Sequence, residues 1–222
     1  PAGARELVGA GHSVLIESGA GDAIGLTDDL YRAAGASVVV TAEQVFAESD
    51  MIVKVKEPQP HECGQLRPEQ LLFTYLHLAA DPMQAELLIN SGATCIAYET
   101  ITSPQRGLPL LAPMSLVAGR LSVQAGAHHM EIHQGGNGTL LGGVPGVASA
   151  KVLVLGGGVV GSSAIRVALG MGADVTVLDR SVSRLGELDE QYRGQLRTVY
   201  STAEALEVHA READLIIGAV LI

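Results

Sequence analysis

Gly156, Gly158 and Gly161 have the spacing G-x-G-x-x-G, directly after the apolar run 151–155, which has the composition of a buried strand. In this pattern the glycines let the backbone turn tightly and approach a pyrophosphate, while the N-terminus of the following helix attracts its charge. Asp179 follows about 20 residues later, where an acid accepts hydrogen bonds from a ribose diol. Because that acid also disfavours a 2′-phosphate, the segment predicts a site for NAD rather than NADP.

Three glycines together could also make only a flexible turn, and an isolated G-x-G-x-x-G motif indicates little. Here a helical segment at 162–171, a helix stop at Gly172 and a second strand at 174–179 follow in the order that a dinucleotide-binding unit needs. We therefore interpret the segment as dinucleotide-binding. Arg180, directly after the acid, could weaken the preference for NAD over NADP.

Basic side chains end two predicted strands in the first half of the chain: Lys54 and Lys56 end the run 50–56, and His77 ends the run 71–77. Ligand groups gather at the carboxyl ends of parallel strands, so neighbouring strands would bring Lys56 and His77 to one cleft. Lys54 and Lys56 are two residues apart and would share a face of the strand, so alternation does not choose between them. A lysine could bind a carboxylate or polarise a carbonyl, and a histidine could transfer a proton. The alternatives are a solvated lysine and a packed, hydrogen-bonded histidine.

Two further groups have weaker signals. His129 and His133 have the i, i+4 spacing of a metal pair on a predicted helix at 114–134, but no H-E-x-x-H motif or third ligand accompanies them. We therefore expect no metal site, and a surface or interface role for these histidines. Ser115, near the start of the same helix, could cap it or offer its hydroxyl to a ligand.

Strands alternate with helices along the whole chain, which predicts an α/β fold with parallel sheets. We predict an N-terminal flavodoxin-like substrate domain at 1–113, a connecting long helix and loop at 114–150, and an incomplete Rossmann NAD-binding domain at 151–222. The predicted strands are 12–17, 37–40, 50–56, 71–77, 94–98, 151–155, 174–179, 196–200 and 214–219. The predicted helices are 2–10, 30–34, 42–48, 82–91, 114–134, 162–171, 181–192 and 202–210.

Composition excludes several classes of protein. The 222 residues are 47% hydrophobic, enough for a sizeable core, and the net charge of −10 argues against a nucleic-acid backbone or an anionic membrane as partner. Cys63 and Cys95 do not make a disulfide framework. We find no membrane-spanning run and no signal peptide, and so expect a soluble cytoplasmic protein.

Six blocks of sequence, in order along the whole chain, resemble the alanine dehydrogenase family, which includes the NAD-binding part of proton-translocating transhydrogenase. The blocks are Lys-Val-Lys-Glu-Pro (54–58), Phe-Thr-Tyr-Leu-His-Leu-Ala-Ala (73–80), Ala-Tyr-Glu-Thr (97–100), Leu-Ala-Pro-Met-Ser-Leu-Val-Ala-Gly-Arg (111–120), Leu-Gly-Gly-Val-Pro-Gly-Val (141–147) and Ala-Asp-Leu-Ile-Ile-Gly-Ala-Val-Leu (213–221). Several separate blocks are far more specific than the glycine motif alone.

The resemblance implies a substrate domain, a Rossmann domain and a cleft between them. It also implies reversible oxidative deamination of L-alanine to pyruvate and ammonia, with NAD as hydride acceptor, in a homo-hexamer. By motif position, the family's substrate-binding lysine falls on Lys56 and its catalytic histidine on His77. Its NAD-contacting serine falls on Ser115 and its ribose-binding acid on Asp179. Further cofactor contacts would fall at Val159, Arg184, Ser201, Val220 and Leu221.

The resemblance also implies a substrate arginine just before the position of Pro1 and a catalytic aspartate beyond Ile222. With the abrupt ends of the sequence, this leads us to expect an internal segment of a longer protein. Two other interpretations stay open: the NAD(H)-binding alpha subunit of a proton-translocating transhydrogenase, and a catalytically inactive truncated relative. The blocks at 54–58 and 73–80 favour the dehydrogenase, because an amino-acid site needs their lysine and histidine.

Overall fold

The computed structural model describes residues 1–104 and 107–220. The chain divides into two compact units, Pro1–Thr102 and Ser103–Ile222. Strands alternate with helices in both units, and every described strand pair is parallel apart from one isolated antiparallel bridge, which confirms the predicted α/β class. Within the described ranges, no helix is both long enough and apolar enough to cross a membrane.

The strands of the first unit are short. They are β1 (Leu15–Glu17), β2 (Ser37–Val39), β3 (Met51–Val53), β4 (Leu71–Thr74) and β5 (Thr94–Ala97). The described strands pair in two sheets, one ordered β1-β2 and the other β3-β4-β5. β3 and β4 are therefore hydrogen-bonded neighbours, with Val53 opposite Phe73, and their carboxyl ends lie at the same edge of the sheet.

Helices cover these strands and have recognisable start and stop signals. They are α1 (Ala2–Gly9), α2 (Asp28–Ala33), α3 (Ala42–Glu48), α4 (Pro60–Cys63) and α5 (Pro82–Ser91). The Asp81 side chain caps α5 by accepting from the N–H of Gln84, and Gly92, at φ +69°, ends it. Between the helices and the sheet lies an apolar core that includes Phe46, Ile52 and Leu72.

The second unit is built on one four-stranded parallel sheet. Its elements are α6 (Ala112–His129), β6 (Lys151–Leu155), α7 (Val159–Gly170), β7 (Asp174–Asp179), α8 (Val182–Tyr192), β8 (Leu196–Tyr200), α9 (Ala203–Glu212) and β9 (Leu215–Gly218). The strand order is β8-β7-β6-β9. The strands β8-β7-β6 have the 3-2-1 order of a Rossmann mononucleotide-binding half, and β9, on the other side of β6, takes the place of the fourth strand of the 3-2-1-4-5-6 order.

The strands of the second unit are apolar because their side chains form the core of the unit. Val152, Val154, Val175 and Val177 are all buried, because helices and neighbouring elements cover both faces of a parallel sheet. The helix α6 packs against α7 so closely that a Cβ atom on Gly119 would lie 2.1 Å from the carbonyl oxygen of Val160. A glycine is required at that point of contact.

Some expectations about where the helices and strands end are wrong. The helix predicted at 114–134 ends at His129, and His133 lies in a separate 3₁₀ turn at Ile132–Gln134. The chain leaves the helix because Glu131 is extended and the glycine-rich segment turns back, with the N–H of Gly138 donating to the carbonyl of Met130. His129 and His133 therefore do not share a helical face.

The strands predicted at 50–56 and 71–77 end earlier, at Val53 and Thr74. Lys54 and Lys56 lie beyond the strand, so the expectation that they share a strand face is wrong. The short helix α4, which the sequence pattern did not predict, begins at Pro60, and its Glu62 pairs with Lys54. The N–H of Lys54 still donates to the carbonyl of Phe73 at 3.2 Å, and the chain bends at 55–56.

The close contact between α6 and α7 gives a stability prediction. We expect Gly119→Ala to lower the free energy of unfolding of the second unit by about 2–3 kcal/mol, because the new methyl group overlaps the backbone of α7. Gly170→Ala, at the end of α7, is the matched control: its Cβ would meet no atom within 4 Å. It should leave stability unchanged or raise it by up to about 1 kcal/mol. Urea unfolding followed by circular dichroism measures both, and equal effects would contradict the packing argument.

Candidate active site and cofactor site

His77 lies in an unusual turn immediately after β4. Its backbone is left-handed, with φ 45° and ψ 41°, a conformation that costs a residue with a Cβ about 1–2 kcal/mol. The carboxylate of Glu99 faces this turn from the 3₁₀ segment Tyr98–Thr100 and is only 8% exposed. Its Oε1 accepts from the N–H of His77 at 2.8 Å and from the N–H of Leu76 at 3.1 Å. The turn is thus held by hydrogen bonds to a buried charge, which are among the stronger ones in proteins.

The imidazole of His77 is held on two sides. Its Nδ1 contacts the Oε1 of Glu57, and its ring stacks on Tyr75 with centroids 5.6 Å apart and planes at 9°. A histidine whose Nδ1 is bound to a carboxylate has its orientation fixed and presents Nε2 to a ligand. The side chain remains half exposed, so a substrate can reach it.

Glu57 also contacts Lys56, whose Nζ lies 3.2 Å from Oε2. One carboxylate therefore joins the lysine and the histidine that follow two neighbouring strands. Its own backbone N–H, followed by His77 and Lys56, lowers the pKa of Glu57 from 4.5 to about 2. At neutral pH the group is a carboxylate between two basic side chains.

The structure distinguishes the two lysines that the sequence pattern left equivalent. The Lys54 side chain is 23% exposed and pairs with both carboxylate oxygens of Glu62, whereas the Lys56 side chain is 78% exposed. The hydroxyl of Thr74 donates to the Lys56 carbonyl at 3.0 Å and ties this segment to the end of β4. Lys56 is thus the lysine available to a small ligand beside His77.

The glycine-rich turn of the second unit has the geometry of a phosphate loop. Gly156 adopts φ +95°, and a Cβ on Gly161 would lie 1.8 Å from the Gly156 carbonyl oxygen, so both positions require glycine. Gly158 is the N-cap of α7 and provides no side-chain cap, and a Cβ there would meet no atom within 4 Å. Free space and uncapped N–H groups therefore lie before the helix, as a pyrophosphate requires.

Asp179 ends β7, as predicted, and its carboxylate faces this turn. Its Oδ2 accepts from the N–H of Gly157 and its Oδ1 from the N–H of Ser181, each at 2.7 Å. Each oxygen has a further lone pair that could accept from a ribose hydroxyl. Ser201, after β8, donates its N–H to the Asp179 carbonyl at 3.0 Å and so lies beside the same strand end.

Arg184, in the first turn of α8, reaches back to the glycine-rich turn. Its Nε donates to the carbonyl of Gly157 and its guanidinium to the hydroxyl of Ser162, both at 2.7 Å. A cavity of about 510 Å³ opens beside these groups. Its lining includes Gly158, Val159, Ser162 and Arg184, together with Arg120 and Arg166.

The other predicted cofactor residues lie at the edges of this region, except one that is outside the residues that the structure describes. Val159 is the first residue of α7 and is exposed, and Val220 is exposed with a methyl group against Gly156. The helix α6 begins at Ala112 with Leu111 as N-cap, so Ser115 lies inside the helix and does not cap it. Leu221 lies outside the described residues.

Sequence reasoning missed Glu57, Glu99 and Tyr75 as parts of the site. All three lie inside the blocks 54–58, 73–80 and 97–100, and Glu57 directly follows Lys56. The contacts of Glu57 and Glu99 with His77 join residues about 20 positions apart, which no local pattern reveals, whereas Tyr75 lies two residues before His77. Among the residues that the structure describes, no group of three or more His, Cys, Asp or Glu side chains is arranged to hold a metal ion.

Comparison with known proteins identifies the family. The model of the alanine dehydrogenase/PNT N-terminal domain matches residues 1–118, and that of the C-terminal domain matches residues 122–222. An alanine dehydrogenase of Halomonas elongata is 59% identical over the whole chain, and one of Mycobacterium tuberculosis is 53% identical. The chain spans about 60% of the length of each of these relatives.

Comparison with solved structures leads to the same family. An L-alanine dehydrogenase structure matches 100% of this chain and 61% of its own chain, with a TM-score of 0.91 and 51% identity. A transhydrogenase from Sinorhizobium meliloti matches 99% of this chain and 64% of its own, with a TM-score of 0.80, but at 23% identity it shows the fold alone. The resemblance expected from the sequence blocks is confirmed, and the chain belongs to the alanine dehydrogenase/PNT family.

Proposed function

We propose that the protein to which this chain belongs oxidises L-alanine to pyruvate and ammonia with NAD, reversibly. The observation that carries the proposal is the cluster of Lys56, Glu57 and His77 at the carboxyl ends of neighbouring strands, in a chain that also has a phosphate loop. The relatives named alanine dehydrogenase, at 59% and 53% identity, support it. On the family resemblance we extend the proposal to a cytoplasmic homo-hexamer.

The second unit fits NAD. The turn of Gly156, Gly158 and Gly161 leaves room and N–H donors for the pyrophosphate, and Asp179 offers carboxylate oxygens for the ribose. We also assign cofactor contacts at Ser115, Val159, Arg184, Ser201, Val220 and Leu221. Bound NAD supplies the acceptor for the hydride that leaves the Cα of alanine.

The first unit supplies the groups that act on the amino acid. The ammonium group of Lys56 binds the substrate carboxylate or its developing carbonyl oxygen. Nε2 of His77 accepts a proton as the amine is oxidised to an imine and water adds to it, and returns one as ammonia leaves. Alanine, NAD⁺ and water thus give pyruvate, ammonium, NADH and a proton. Glu57 stabilises the ammonium group of Lys56 and the imidazolium that forms when His77 accepts a proton.

The role of His77 is tested in the full-length parent protein by following NADH absorbance. We expect His77→Ala to lower kcat for L-alanine by about 10²–10⁴-fold, the range for loss of a general acid–base group. The dissociation constant for NADH should stay the same, because the phosphate loop is unchanged. His12→Ala, an exposed histidine of the same unit, is the control and should keep full activity. A His77→Ala enzyme that turns over normally would contradict the assigned role.

Asp179 is expected to set the choice of nucleotide. Asp179→Asn removes the charge that repels a 2′-phosphate and weakens the acceptor for the ribose, so KM for NAD should rise about tenfold, equivalent to roughly 1.4 kcal/mol. The ratio of kcat/KM for NADP to that for NAD should rise. Asp189→Asn, on the exposed surface of α8, provides the control. An unchanged ratio would show that Asp179 does not contact the ribose.

Glu57 gives a pH prediction. Because its pKa is lowered from 4.5 to about 2, its charge stabilises the fold above pH 4.5, and this contribution is lost as the pH falls towards 2. Glu57→Gln should therefore lower the free energy of unfolding most at neutral pH, and the difference from the wild type should narrow between pH 4.5 and 2. Urea titrations across this range measure the difference. A difference that stays constant with pH would contradict the lowered pKa of Glu57.

A further inference from the structure

The backbone of His77 needs an explanation that its neighbours in sequence do not give. Among the described residues, the non-glycine residues with positive φ are His77 and Arg193. Arg193 directly follows the helix α8, where a left-handed residue is an ordinary helix end. His77 follows a strand, so its conformation must be held by contacts with other parts of the unit.

Two buried polar side chains hold the single peptide group that joins Leu76 to His77. On one side, Glu99 accepts from the N–H of His77 at 2.8 Å. On the other, the side-chain amide of Gln84 donates to the carbonyl of Leu76 at 2.8 Å. Gln84 and Glu99 are 7% and 8% exposed, and they come from α5 and from the segment after β5.

The burial of these groups indicates a specific purpose. The N–H of Leu76 donates to both carboxylate oxygens of Glu99, and the N–H of His77 donates to one of them. A buried polar side chain is unfavourable unless hydrogen bonds satisfy it, and here the partners of Glu99 and Gln84 are the two ends of one peptide group. Such a group persists where it fixes a geometry that the backbone would not adopt alone.

We propose that Glu99 and Gln84 are positioning residues that act through His77: together they fix the orientation of the 76–77 peptide, and so direct the imidazole to Glu57 and Tyr75. If this peptide rotated, His77 would leave the left-handed region and its Cβ would point elsewhere. The ring would then lose Nδ1 contact with Glu57 and the stacking on Tyr75. The inference rests on the proposed function, because it takes His77 as the acid–base group.

A double-mutant cycle in the full-length protein tests action through His77. Glu99→Ala and Gln84→Ala should each lower kcat for L-alanine about tenfold or more, with KM for NAD unchanged. In a His77→Ala background the same changes should lower kcat no further, because the group that they position is gone. Glu99→Gln keeps one oxygen for the His77 N–H and should restore part of the kcat lost in Glu99→Ala.

Gln70→Ala is the matched control. Gln70 is also buried in this unit, but its amide binds the carbonyls of Phe46 and Ser49 at the opposite end of β4. It should lower stability and leave kcat per folded molecule unchanged. Losses in kcat that simply add to that of His77→Ala, or that Gln70→Ala reproduces, would overturn the positioning role.

A second measurement needs no activity. Hydrogen–deuterium exchange of the segment 75–80 should be faster in Glu99→Ala than in the wild type, because the N–H groups of Leu76 and His77 lose their acceptor. An unchanged exchange rate would contradict the proposal that Glu99 fixes the peptide group between Leu76 and His77. If exchange is faster while His77→Ala keeps full kcat, the proposed function of His77 fails and the structural hold of Glu99 stands.

Discussion

The proposed chemistry depends on the contacts that the carboxylate of Glu57 makes with two basic side chains. This carboxylate contacts the imidazole of His77 with one oxygen and the ammonium of Lys56 with the other. This arrangement works only because β3 and β4 are parallel neighbours that end at the same edge of the sheet. The first unit thus uses a general property of parallel sheets, that polar groups gather at the carboxyl ends of strands, to concentrate charge around one exposed histidine.

The second unit depends on a constraint of a different kind: at two close contacts between backbone segments, only glycine fits. A Cβ at Gly161 would overlap the carbonyl of Gly156, and a Cβ at Gly119 would overlap that of Val160. At the N-cap of α7, by contrast, a Cβ on Gly158 would meet no atom within 4 Å. Asp179 stabilises the turn by accepting from the N–H of Gly157.

Local patterns predicted much of the second unit, because its signals are short-range: the glycine spacing, the apolar strands and the acid at the end of β7 all lie within one segment. They predicted less of the first unit, where the strands are only three or four residues long. A strand that ends at Val53 cannot place Lys54 and Lys56 by alternation, and an ion pair with Glu62 decides between them. The contacts of Glu57, Gln84 and Glu99 with the His77 turn arise only when distant segments fold together.

The most direct test of the account uses L-alanine deuterated at Cα with the full-length parent protein and NAD. Direct hydride transfer predicts that the NADH formed carries deuterium at C4 of its ring, together with one equivalent of pyruvate. NADH without the label would show that the hydrogen does not pass directly from Cα. Binding of NADH without any alanine-dependent reduction of NAD would contradict the proposed dehydrogenase activity itself.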